Sequence, residues 1–229
     1  MTTAPHIVVA DSATDPDADI WFAEPEGFTP IPLDALLTPP GSPAADNLRA
    51  VLAPFLDAAP DEKARQQVIA QLAQGKLLLG ALCEVGTVHC SIGLHRDDID
   101  ETGGSNGQPL LSLFTLSWRG TELAPRSVTA ARAVTSAEGH TGIEYLELPC
   151  GPATLSETVL IPQAGRGLPQ TPLLQIHAHL PHPDCKRLVV LTLSTTAGAC
   201  RQQYRAILRH IAELVSFDNP LEPETSVAG

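Results

Sequence analysis

The sequence predicts an α+β domain: an antiparallel sheet of about six to eight strands with helices from both chain ends packed on it, an α/β/α sandwich-like arrangement. Three observations point there. Residues 76–195 alternate apolar and polar side chains with period two. The breaks between those runs are mostly short, and short connections favour antiparallel pairing because a parallel neighbour needs a crossover of a dozen or more residues. The stretches on either side carry apolar residues at helical spacing instead.

The elements follow in chain order. Residues 1–19 and 220–229, rich in Pro, Asp, Glu, Ser and Thr, read as a flexible N-terminus and a flexible tail, and 20–219 read as one domain. "IWFAEPEGFTPIPL" is a short aromatic strand followed by Pro-broken extended chain, and "TPPGSP" is a linker signal. Leu48, Val51, Leu52, Phe55 and Leu56 share one helical face, with Pro54 expected to kink or divide the helix. "PDEKARQQVIAQLAQG" predicts a second helix, capped by Asp61, carrying Glu62 in its first turn and ended by Gly75, with Val68, Ile69 and Leu72 inward. Strands are expected at 77–84, 87–95, 110–119, 126–134, 142–149, 154–162, 172–180 and 187–194. "RLVVLTLS" is nearly continuous in apolar residues, which suits a central strand covered on both faces. Thr195 or Thr196 is placed to cap a last helix, in which Cys200, Tyr204, Ile207, Leu208, Ile211, Leu214 and Val215 recur at helical spacing.

Charge narrows the partners. Against 26 Asp+Glu stand 14 Lys+Arg, a formal net charge of -12, and such a surface repels nucleic-acid phosphates and anionic lipid heads. Only Lys63, Lys76 and Lys186 are lysines; with abundant Ala and Pro, that bias points to a GC-rich bacterial genome. No apolar run of about 18 residues is present, and the N-terminus does not read as a signal peptide. Cys83, Cys90, Cys150, Cys185 and Cys200 form no CxxC pair, so five free thiols and a cytoplasmic location are expected.

"WFAEPEGF", the run of antiparallel strands, and "RLVVLTLS" leading to a helix closed by "AELVSF" together resemble the PsbP-like fold group, including its actinobacterial LpqN-type lipoprotein relatives. The resemblance implies a sandwich of sheet and helices and a non-enzymatic binding or assembly role. The lipobox cysteine and signal of those lipoproteins are lacking here, so a secreted-lipoprotein role does not carry over, and no ligand residues do.

Several stretches invite a chemical reading. "HAHLPHPDC" sets His177 and His179 on one face of a strand, with His182 and Cys185 beyond a turn and His89 as a remote partner. Three imidazoles suffice for a catalytic zinc, which makes a metal- or Cys-dependent hydrolase using His177, His179 and His89 one alternative. The spacing matches no standard finger or knuckle, and a polar sheet face that leaves both histidines replaceable by Ala within about 1 kcal/mol is the simpler expectation. "HRDDIDETGG" places Asp98, Asp100, Thr102 and Gly103 as in a calcium loop, but Pro109 stands where the bidentate Glu belongs. No nucleophile elbow or phosphate-binding loop occurs, and no cofactor is expected.

The remaining expectation is a protein-binding surface. Arg201, Arg205 and Arg209 recur every four residues on the last helix, away from its apolar stripe, and could take an acidic segment of another protein. Ser117, Arg119 and Gln175, with His177 and the threonines and serines of 154–158, would form a polar platform on the sheet. The sequence thus favours a binding or accessory module for another protein, with homo-oligomerisation open and a small-ligand carrier as a further alternative.

Overall fold

A computed structural model describes residues 6–8, 20–31, 41–57, 61–62, 65–66, 86–96, 109–136, 138–161 and 172–218. The predicted strand 77–84, most of the helix expected at 61–75, Cys83 and the calcium-like loop residues Asp98, Asp100, Thr102 and Gly103 lie outside them.

Among the described residues the elements include nine strands and three α-helices: β1 (His6–Val8), β2 (Phe22–Glu24), β3 (Phe28–Pro30), α1 (Pro43–Asp57), β4 (Thr87–Arg96), β5 (Pro109–Gly120), α2 (Arg126–Thr135), β6 (Thr141–Leu148), β7 (Gly151–Leu160), β8 (Leu173–Pro181), β9 (Arg187–Thr195) and α3 (Arg201–Glu213). Seven strands make one sheet in the order β3-β4-β5-β9-β8-β7-β6, every pair antiparallel. The α+β class is as the period-two pattern predicts. β9, the "RLVVLTLS" strand, stands fourth of the seven and is buried along nearly its whole length.

Three expectations are corrected. The stretch 126–134 is a helix, α2. Its Val and Thr residues suggest a strand, but Ala130, Ala131 and Ala133 are strong helix formers, and Pro125 fits the position just before a first helical turn. His6–Val8, assigned by sequence to a loose terminus, pairs with β2 in a two-stranded ribbon. α1 is not divided at Pro54.

The main core lies on one face. Phe114 and Leu116 of β5, Ala153 and Leu155 of β7, Ile176, Ala178 and Leu180 of β8 and Val189, Leu191 and Leu193 of β9 alternate inward to meet Tyr204, Leu208, Ile211 and Ala212 of α3. Phe22 of β2 joins them, 6.0 Å from the Phe114 ring. On the other face a smaller cluster of Ile31, Cys90 and Ile92 packs with Leu52 of α1, and α2 sits over β7 and β8. Neither Thr195 nor Thr196 caps α3: a short 3-10 turn, Gly198–Cys200, precedes that helix, and Thr195 Oγ1 accepts the Ala197 N–H instead.

One tight approach fixes the start of β4. Gly86 has φ +83°, and a Cβ there would stand 2.6 Å from the Trp118 carbonyl oxygen. The Trp118 N–H donates back to the Gly86 carbonyl at 2.8 Å. Gly86→Ala is therefore expected to destabilise the fold by about 1–3 kcal/mol. A urea titration followed by tryptophan fluorescence reads this directly, and a wild-type midpoint would refute it.

Candidate functional site

The arginine row faces the sheet: all three side chains reach carboxylates there, Arg205 largely buried and Arg201 and Arg209 part-exposed. α3 lies so that its Arg flank reaches the two outermost strands on the core face, where β6 and β7 present Glu144 and Glu157. Arg205 donates to Glu157 Oε1 at 2.9 Å, to Glu144 Oε2 at 3.0 Å and to the Gly142 carbonyl at 2.8 Å. Arg201 Nε stands 3.3 Å from Glu157 Oε2, and Arg209 hydrogen-bonds Glu144. Hydrogen bonds from Arg209 and Arg205 hold the Glu144 carboxyl below its ordinary pKa. Gly142, with φ +56°, lets the backbone come close here: a Cβ would meet the Glu157 carboxylate at 3.3 Å. The row is thus an internal clamp between helix and sheet.

The polar platform is also largely enclosed. Ser117 is buried and shares a hydrogen bond with Thr87 at 2.9 Å. Gln175 donates to Ser194 Oγ at 3.1 Å. Arg119 alone of the three predicted platform residues is exposed. The face is crossed by paired hydroxyls rather than left open, and Thr154 donates to the Ala130 carbonyl of α2 at 3.1 Å.

His177 and His179 do share that face, but His89 does not. His89 projects toward the main core, where its Nε2 is 3.0 Å from Glu24 Oε1. Ser91 hydrogen-bonds the same carboxylate oxygen. Register places His89 opposite Leu116, and Leu116 opposite Leu191, on the core side of the sheet. The set His177, His179 and His89 therefore never converges, and among the described residues no group of three His, Cys, Asp or Glu is placed to hold a metal ion. Ser91 is fully buried, so the Glu24–His89–Ser91 network offers no nucleophile to a substrate.

The partner that His177 and His179 do find is His140, in the turn between α2 and β6. The ring centroids are 5.5 Å apart for His140–His177, 5.7 Å for His140–His179 and 6.0 Å for His177–His179. His177 spends both nitrogens on hydroxyls, Nε2 with Thr158 at 2.9 Å and Nδ1 with Thr192 at 3.0 Å. His140 Nδ1 meets Ser156 Oγ at 2.9 Å. His179 Nδ1 is buried with no hydrogen-bond partner. Burial, then the neighbouring imidazoles and Arg119, lowers the pKa of His177 to about 4 and that of His179 to about 3; burial and Arg119 lower that of His140 as well. At neutral pH the cluster is three uncharged imidazoles.

The "HPDCK" turn is a closed structure of its own. Burial raises the Asp184 pKa, but the Lys186 and Arg187 amides, the Arg187 guanidinium and His182 outweigh it and hold the carboxyl well below its ordinary range. Cys185 takes a left-handed conformation, φ 61°, where glycine is usual. The four described cysteines, Cys90, Cys150, Cys185 and Cys200, are free thiols.

What remains open is an edge. Among the described residues β3 ends the sheet with three residues, the last of them Pro30, a guarded edge. β6 ends it on the other side with eight residues and, among the described residues, pairs only with β7. Its bulge between Thr141 and Glu144 guards one end, while Glu144 to Leu148 pair regularly with β7. Ile143 and Tyr145 are 51% and 48% exposed beside that edge. No protein-family model matches the chain, and no curated protein matches it. No helix among the described residues is long and apolar enough to cross a membrane.

Sequence reasoning missed His140, Glu144, Glu157 and Tyr145. Glu157 carried a signal: it follows Ala153 and Leu155 on the inward face of its strand, and an inward carboxylate needs a cation.

Proposed function

We propose that this chain is a non-enzymatic binding module that takes an extended segment of another protein onto the free edge of β6. One observation carries the reading: the outermost strand offers a regular stretch of edge backbone flanked by half-exposed Ile143 and Tyr145. Backbone pairing supplies affinity in such a mode, and alternate side chains supply selectivity. The net charge of -12 and the exposed Glu147 favour a segment that alternates apolar residues with Lys or Arg, and disfavour a second copy of the chain. An acidic segment loses its argument, since Arg201, Arg205 and Arg209 already hold Glu144 and Glu157. The resemblance to the PsbP-like group supports binding over catalysis. The Arg-over-Lys bias and the free thiols support a bacterial, reducing setting such as the cytoplasm.

A phage-displayed peptide library selected on the full chain tests this. Peptides with alternating apolar and basic residues are expected, shifting the amide resonances of 143–148 and binding Tyr145→Lys at least tenfold more weakly. Peptides that bind Tyr145→Lys as well as wild type, or a sedimentation profile showing β6-dependent self-association instead, would overturn the reading.

A further inference from the structure

We propose that His140, His177 and His179 form an acid-released latch, which holds the C-terminal end of α2 on the sheet while the imidazoles are neutral and frees it when they take up protons. α2 buries only small side chains against the sheet. Its buried residues are Thr129, Ala130 and Val134, whereas α3 buries Tyr204, Leu208, Ile211 and Ala212. A helix held by so little apolar contact belongs among the elements that open first. Its N-terminal end is anchored separately: Arg126 donates to the Pro181 carbonyl at 2.9 Å and also to the Cys150 carbonyl. Its middle is tied by the bond from Thr154 to the Ala130 carbonyl. The C-terminal end is left to Val134 and to His140, which follows it in the chain and rests against His177 and His179.

Protonation makes that contact repulsive. Three cations would stand with ring centroids 5.5 to 6.0 Å apart, His177 and His179 largely shielded from water and His140 part-exposed. His179 Nδ1 is buried without a hydrogen-bond partner, and the backbone hydrogen bond at Thr154 favours the charged ring less than burial opposes it. The charges around the cluster do not offset this. Arg119 on β5 acts on all three rings and is positive. On β6, Tyr145 and Glu147 share this face of the sheet, with Glu147 exposed beyond Tyr145 near the β6–β7 turn. Glu138, before His140, is exposed, and Arg132 of α2 turns to Glu122 at 3.7 Å. β7 and β9 contribute only hydroxyls there, Ser156, Thr158 and Thr192. Glu144 and Glu157 face the opposite side of the sheet. His177 and His179 are fixed in the central part of the sheet, so His140 is the ring free to leave, and the end of α2 leaves with it.

Hydrogen exchange read by mass spectrometry on the full chain, corrected for intrinsic rates, tests the latch at pH 7.0 and pH 4.5. Amides of 130–136 are expected to be less protected than those of α3 at both pH values and to lose at least tenfold of their protection at pH 4.5, the protection of α3 following global stability. Unchanged protection of 130–136, or protection of 130–136 no lower than that of α3, would overturn the proposal. His177→Gln, which can still bond both threonines, combined with His140→Gln should retain the protection at pH 4.5. Release of the helix in that variant to the wild-type extent would equally overturn it, and if the variant does not fold the wild-type measurement decides alone.

Discussion

Arg205→Leu is expected to lower the unfolding free energy by about 3–5 kcal/mol, the range for breaking a buried ion pair by removing one partner. The Glu157 side chain is 6% exposed and that of Arg205 14%, so neither charge has water to fall back on. Removal of Arg205 also strips three hydrogen bonds, to Glu157, Glu144 and the Gly142 carbonyl. Arg201 remains near Glu157 at 3.3 Å, but its side chain is half exposed and held by solvent as much as by the carboxylate. Arg209→Ala, by contrast, is expected to cost within about 1 kcal/mol, because both it and Glu144 are well solvated. The double variant Arg205→Leu with Glu157→Leu should recover most of the loss, since an apolar pair replaces the ions without stranding one of them. Urea denaturation of the two single variants and the double closes the cycle. A single-variant cost below about 1 kcal/mol, or no recovery in the double, would show that the clamp contributes little. Arg201→Glu with Arg205→Glu, which on sequence grounds would leave stability untouched, should unfold the protein more readily still.

That reversal shows where sequence reasoning stops. Most of the strands and their antiparallel pairing were legible because alternation is a local property, visible in "TLSETVL" or "LLQIHAHL" without knowing what lies alongside; the order of the strands in the sheet was not. The central place of β9 was legible for the same reason. The arginine row was legible as a row, but not its direction. Amphipathic logic assigns the polar flank of a helix to solvent, whereas α3 lies where that flank meets Glu144 and Glu157 from strands some 50 to 60 residues earlier. The clue lay in the strand, not the helix, in the inward place of Glu157. α2 was misjudged because Val128, Thr129, Val134 and Thr135 fit a strand by propensity, and only the tertiary setting decides such a segment. His140 was out of reach: nothing in the sequence brings a turn residue to a strand some forty positions later. His177 and His179 were placed correctly on one face, but that face was read as wet, and a buried histidine obeys different chemistry.

Stability should accordingly fall on acidification from pH 6.5 to pH 4.5, by an amount on the order of 5 kcal/mol, through His177 and His179. In the folded chain their pKa values are depressed to about 4 and about 3, chiefly by burial. In the unfolded chain both titrate near 6.5. Above that value neither state binds the protons and the contribution to stability is complete. Between the unfolded and folded values only the unfolded chain takes them up, so each histidine removes about 1.4 kcal/mol of stability per pH unit until its folded pKa is reached. His140, also lowered, acts in the same direction, and Glu144 extends the loss as the pH falls through its own depressed value. Urea midpoints measured at half-unit steps from pH 7.5 to 4.5, followed by tryptophan fluorescence, give the curve. A second arm separates the histidines from the carboxylates: His177→Gln with His179→Gln should be less stable at pH 7, because His179 is 3% exposed and its replacement disturbs a packed face, yet its curve should be much flatter between pH 6.5 and 4.5. His177→Ala with His179→Ala should cost several times the 1 kcal/mol that a wet face would predict, by leaving Thr158 and Thr192 without the ring that joins them. If the wild-type midpoint stays flat down to pH 5, the two imidazoles are as solvated as the sequence made them look, and the enclosed face described above is wrong.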